Sequence, residues 1–185
     1  ADLESQRQIV RQRTDCYLSA LHVAEAGCAH HVKRLLAAEK VPVAIDIEKA
    51  LAWIENKQTI KLSDEQAESL RMAVQARLLV ITGGPGTGKT TLVKGLISMF
   101  EAKGLSVLLA APTGRAAKRM EAATGRPSST IHRLLEFSPR TGGFVRTEYD
   151  PLHTHMVVID ECSMVDVYLL HALLRALPSD CRAVF

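Results

Sequence analysis

Leu78-Leu79-Val80-Ile81-Thr82-Gly83-Gly84-Pro85-Gly86-Thr87-Gly88-Lys89-Thr90-Thr91-Leu92 is the stretch on which the fold turns. Leu78 to Thr82 is a short apolar run of the kind that forms a buried strand. Leu92, Leu96 and Phe100 then share one helical face, and Gly104 ends that helix with Lys103 in its last turn. Between strand and helix, Gly83 to Thr90 fits G-x-x-x-x-G-K-[ST] without a mismatch. The glycines let the backbone turn tightly and aim N–H groups at a polyphosphate, while the helix N-terminus adds positive potential. In this setting Lys89 reaches the β- and γ-phosphates of ATP and the Thr90 hydroxyl ligates Mg²⁺. Gly83, Gly84, Pro85, Gly86, Thr87, Gly88 and Thr91 complete the expected nucleotide-binding loop. A plain connecting turn is the competing reading, and it leaves Lys89 and Thr90 unexplained.

Downstream, strand and helix signals alternate. Ser106 to Ala110 reads as a strand, Ala116 to Ala123 as a helix, and Ile131 to Phe137 as a short helix. Ser138 to Thr154 is rich in Gly, Pro and polar residues and reads as a loop or hairpin. Met156 to Ile159 is a third strand, Leu169 to Leu177 a helix stopped by Pro178, and the final residues a strand just begun. Such alternation implies an α/β domain with a mostly parallel sheet covered on both faces. The third strand ends in Asp160-Glu161. At the C-terminal edge of a parallel sheet, Asp160 can hold Mg²⁺ beside Thr90, and Glu161 can orient and deprotonate a water. Glu161 and Lys89 are therefore the expected catalytic pair.

Upstream, residues 1–61 read as helical and carry no motif. Apolar spacing predicts a helix from Thr14 to Ala38 with Gly27 as a break, and Pro42 punctuates the chain. Asp46 then caps a helix in which Trp53 is expected to pack inward. Ser63-x-x-Gln66 has the form of a capping box. Net charge is only +3, which excludes a histone-like basic protein and leaves nucleic-acid binding to local clustering. No apolar run reaches the length of a membrane span, and the N-terminus lacks a signal-peptide stretch. Cys16, Cys28, Cys162 and Cys181 form no C-x-x-C pair, so the expected location is cytoplasmic, with reduced thiols. His30-His31 and His153/His155 read as surface histidines, since ligands at matching spacing are lacking.

Arg115, Lys118 and Arg119 fall on one helical face near the edge that bears the P-loop, which suits a polyanion track as well as it suits a solvated surface. Together GGPGTGKTT, APTGRAAKRM, TIHRLL and DECSMVD, in this order, resemble the first motor domain of RecD/TraA-type DNA helicases, the superfamily 1 branch that moves 5′ to 3′. The resemblance spans 62–185, and it implies a RecA-like P-loop NTPase domain preceded by a small helical segment. It departs from the family at Cys162, where DEASMVD has alanine. By position it implies that Gln66 reads the adenine edge, in competition with the capping box. It further implies that Thr113, Arg115, Thr130 and His132 touch single-stranded DNA. Phe137, Phe144 and Tyr149 are the candidates for base stacking.

The chain begins at Ala1 and reads as a piece of something longer. The resemblance implies a missing second motor domain in the same chain, so the piece is expected to bind nucleotide weakly without fast hydrolysis or unwinding. Whether the parent works alone or with recombination nuclease subunits stays open at this point. The rival readings are another P-loop ATPase, such as an AAA-type loader, and a nucleotide-binding regulatory subunit.

Overall fold

The computed structural model describes residues 8–39, 43–84 and 86–185, so Pro42 and Pro85 lie outside the described residues. In chain order the elements are β1 (Ile9–Gln12), β2 (Asp15–Leu18), α1 (Ser19–Ala37), α2 (Ile47–Gln58), α3 (Asp64–Gln75), β3 (Leu78–Leu79), α4 (Lys89–Glu101), β4 (Val107–Ala111), α5 (Gly114–Thr124), β5 (Ser128–Thr130), α6 (Ile131–Leu134), β6 (Phe137–Ser138), β7 (Gly143–Phe144), β8 (Met156–Ile159), α7 (Val167–Ala176) and β9 (Arg182–Val184). A short 3-10 turn covers Cys162–Met164.

Five strands form one sheet in the order β3-β9-β8-β4-β5, every neighbour parallel. The pairing of β3 with β9 continues past both strands, where the Ile81 amide donates to the Phe185 carbonyl at 2.7 Å. Alternate residues of β8 explain why a strand in such a sheet is apolar throughout. Met156 and Val158 face a core with Ile54, Leu70, Leu96 and Phe100. Val157 and Ile159 face the opposite core with Leu35, Ile131, Leu173 and Leu174. A strand buried on both sides has no polar face to show.

The N-terminal segment differs from the helix expected from Thr14. Ile9 to Leu18 form an antiparallel hairpin that pairs Gln12 with Asp15 across Arg13-Thr14, with Arg13 at φ 56°. The helix starts only at Ser19. Apolar spacing in so short a stretch does not separate a two-stranded ribbon from a first helical turn. Gly27 does not break α1 either. Its reason is close approach, because a Cβ there would stand 2.3 Å from His171 Nε2 on α7. Arg34, one face along, donates from Nη2 to the Leu174 and Leu177 carbonyls at 3.0 and 2.8 Å, where a cation suits the end of α7. Gly27→Val is therefore expected to wedge α1 from α7 and destabilise the protein by about 1–3 kcal/mol. A thermal melt reads this as a lowered midpoint, and an unchanged midpoint would show that His171 yields freely.

Two smaller readings also need correction. Trp53 is 40% exposed instead of packed inward, with the Lys57 ammonium 4.4 Å from its ring centroid. The short helix after Thr130 stops at Leu134, and Phe137 belongs to β6, after a left-handed residue at Glu136 (φ 54°). Among the described residues no helix is long and apolar enough to cross a membrane.

Candidate functional site

Both chemical motifs leave the C-terminal edge of the sheet. β3 runs into the glycine loop and α4, and β8 runs into Asp160-Glu161. Only β9 separates the two strands, so their ends stand about 10 Å apart. A cleft of about 880 Å³ opens there, lined by Thr82, Gly83, Gly84, Gly86, Thr87, Gly88, Lys89 and Thr90 on one side. Asp160, Glu161, Cys162 and Ser163 line it from β8, and Arg119, Met120, Ala123 and Thr124 from α5. Thus Lys89, Thr90, Asp160 and Glu161, far apart in sequence, meet in one cavity. Thr91 is half-buried and does not line it; Pro85 lies outside the described residues.

The loop is held by its own atoms. Lys89 Nζ donates to the Gly84 carbonyl at 2.8 Å and also to that of Gly83. Thr87 Oγ1 donates to the Gly84 carbonyl at 2.9 Å. Gly88, the residue before α4, has φ 85°, a left-handed conformation that favours glycine. Space forbids a side chain there as well, since a Cβ would stand 2.3 Å from Gln66 Nε2.

The two ends of the Gln66 side chain do different things, one of which is the expected capping box. Oε1 accepts the Ser63 amide at 3.1 Å while the Gln66 amide donates to Ser63 Oγ at 3.2 Å, completing the capping box of α3. Nε2 meanwhile donates to the Thr87 carbonyl at 3.2 Å. The side chain therefore links the N-terminus of α3 to the glycine loop.

Across the cleft, Asp160 Oδ1 accepts the Glu161 amide at 2.9 Å. Glu161 has φ 56° and ψ 41°, a backbone state that costs a non-glycine residue on the order of 1 kcal/mol. Arg119 Nη2 donates to Glu161 Oε1 and lies 3.6 Å from Asp160 Oδ2. The Glu161 carboxylate holds the Arg119 guanidinium above its ordinary pKa, with Asp160 adding to the effect. Burial, and then Asp160, push the neighbouring Cys162 thiol up to about 11, so it adds no charge at neutral pH. Motif matching did not assign Arg119 to the cleft. The available signal was that α5 follows β4, the strand paired directly with β8.

The four expected strand-contact residues stand elsewhere on the same edge. Thr113 Oγ1 accepts the Ala116 amide at 3.2 Å and caps α5, and Thr130 Oγ1 accepts the Arg133 amide at 3.2 Å and caps α6. The two caps are neighbours because β4 pairs with β5 up to Ala111 and Thr130. Arg115 and His132 are exposed beside them. His132 meets Phe137 and Phe144, with ring centroids 5.8 and 5.7 Å away, and Tyr149 is 87% exposed. None of the four lines the cleft. His155 is not on the cleft either; its Nδ1 accepts the Ser106 amide at 3.1 Å.

A family model described as AAA domain matches residues 66–185. The chain belongs to the AAA domain family. Its α/β architecture is that of a RecA-like P-loop domain. Over 169 residues this AAA domain chain is 39% identical to the ATP-dependent RecD2 DNA helicase of Deinococcus radiodurans, a match covering 91% of the chain and 23% of that protein. It is 35% identical over 145 residues to the RecBCD enzyme subunit RecD of Mycolicibacterium smegmatis, covering 65% of the chain and 26% of the relative. The ATP-dependent DNA helicase dda of Enterobacteria phage T4 is 38% identical over 112 residues, covering 57% and 26%. The chain thus spans about a quarter of the length of these relatives. They bear out the resemblance to RecD-type helicases carried by the four motifs.

Proposed function

We propose that this chain is the first motor domain of an ATP-dependent DNA helicase of RecD type that moves 5′ to 3′ on single-stranded DNA. The observation that carries this reading is the meeting of Lys89 and Thr90 with Asp160 and Glu161 in one cleft. Residues 62–185 form the motor unit and 1–61 its N-terminal segment. The second motor domain lies further along the parent chain. One relative is named as a RecBCD enzyme subunit, and that name supports recombination nuclease subunits as partners of the parent in this reading. The four free cysteines of this chain fit a reducing, bacterial-type cytoplasm as the location of the parent.

In this reading the backbone N–H groups from Gly86 to Thr91 and the N-terminus of α4 cradle the phosphates. Lys89 leaves the Gly83 and Gly84 carbonyls for the β- and γ-phosphates, and Gln66, bonded to the Thr87 carbonyl of the loop, meets the base. Thr90 and Asp160 present a hydroxyl and a carboxylate, hard oxygen donors that fit Mg²⁺ shared with substrate phosphates. When bound, that ion neutralises charge developing on the β- and γ-phosphates. Glu161 orients a water in line with the β–γ bond and takes its proton as the water oxygen bonds to the γ-phosphorus and ADP leaves. Thr113, Arg115, Thr130 and His132 hold the strand on the β4–β5 side of the same edge.

The test is ATP hydrolysis by the full-length protein with and without oligo(dT). A helicase motor hydrolyses ATP faster with the strand, and strand affinity falls with salt at a log–log slope of about −0.7 per neutralised phosphate. An AAA-type loader or a regulatory subunit would show no such strand-dependent turnover, and that result would remove the reading.

A further inference from the structure

One charged contact in the cleft has no part in the hydrolysis just described. Arg119 occupies both carboxylates on which that chemistry depends, Glu161 by a hydrogen bond and Asp160 at 3.6 Å. Among the described residues these two are the acidic ones that line the cleft. A guanidinium in that position takes lone pairs that a water must reach before it can be oriented and deprotonated. Glu161 is fixed at both ends, its backbone amide by Asp160 Oδ1 and its carboxylate by Arg119. The contact is also easily undone, because the Arg119 side chain is 64% exposed and a surface pair of this kind is worth only about 0.2–1 kcal/mol.

Arg119 sits one turn after Arg115 on the same face of α5, the helix capped by Thr113. Of the cleft-lining side chains it is the cation carried by the helix that also bears Arg115. We propose that Arg119 is a positioning residue that restrains Glu161 while no strand is bound, and that a single-strand phosphate at the basic face of α5 draws it away. The phosphate offers the guanidinium a competing acceptor, so strand binding and release of Glu161 are one coupled equilibrium. This rests on the function proposed above and adds to it the link between the strand and the hydrolytic site.

The experiment compares full-length wild type, Arg119→Ala and Arg119→Lys for ATP turnover with and without oligo(dT). Arg119→Ala raises strand-free kcat about fivefold, the factor matching about 1 kcal/mol of lost restraint, with KM for ATP unchanged. The ratio of strand-stimulated to strand-free turnover shrinks by the same factor, and Arg119→Lys restores most of the restraint. Coupling is reciprocal, so Glu161→Gln, which removes the competing charge, tightens nucleotide-free binding of oligo(dT) about threefold. Strand stimulation in wild type with strand-free turnover unchanged or lowered in Arg119→Ala would overturn the restraint alone. Absence of strand stimulation in wild type would remove the function reading and the restraint with it.

Discussion

Lys89→Ala is expected to weaken ATP binding about 100- to 1,000-fold, a loss of two or so charge-assisted hydrogen bonds, while leaving the fold intact. Among the described residues two cations line the cleft, Lys89 and Arg119. Arg119 is committed to the carboxylates, so Lys89 is the cation left to meet a triphosphate. Its present partners are two carbonyls of its own loop. Losing them costs little, because the loop retains the bonds from Thr87 to Gly84 and from Gln66 to Thr87. Titration with a fluorescent ATP analogue beside a thermal melt separates the two effects. Loss of binding with an unchanged melt supports the site. Retained affinity would show that the loop does not grip phosphate through Lys89.

Local sequence made the core of this site legible for a physical reason. The phosphate loop needs a strand, a glycine turn and a helix in immediate succession, so Gly83 to Thr90 declares both its fold and its chemistry within a few residues. Asp160-Glu161 was legible because a strand buried on both faces must be apolar until it reaches the sheet edge, where charges begin. What stayed hidden depends on contacts between distant segments. Gln66 satisfied the capping-box pattern and a match to a family glutamine, and only packing of α3 on the glycine loop shows that one amide serves two partners. Gly27 looked like a break because glycine usually weakens a helix, whereas here His171 on α7 demands its missing side chain. The basic residues of α5 looked equivalent by spacing. Neighbouring β8 sets Arg119 apart, and no periodicity within α5 carries that information.

The second large effect falls on turnover and not on binding. Glu161→Gln is expected to lower the strand-stimulated kcat of the full-length protein by about 10²- to 10⁴-fold, the usual contribution of a positioned general base. ATP affinity should stay within about twofold, because the interaction lost is made with the attacking water and not with the bound phosphates. The substitution is structurally mild. Glutamine has the same length, its carbonyl oxygen still accepts from Arg119, and the left-handed backbone at φ 56° treats the two residues alike. Single-turnover hydrolysis beside a nucleotide titration checks both halves of the expectation. Lys89→Ala and Glu161→Gln should then show opposite phenotypes, one failing to bind and the other binding without turning over. If Glu161→Gln kept turnover within about threefold of wild type, a group worth so little could not be the base. The proton of the attacking water would then have to leave by another route than the carboxylate that Arg119 holds.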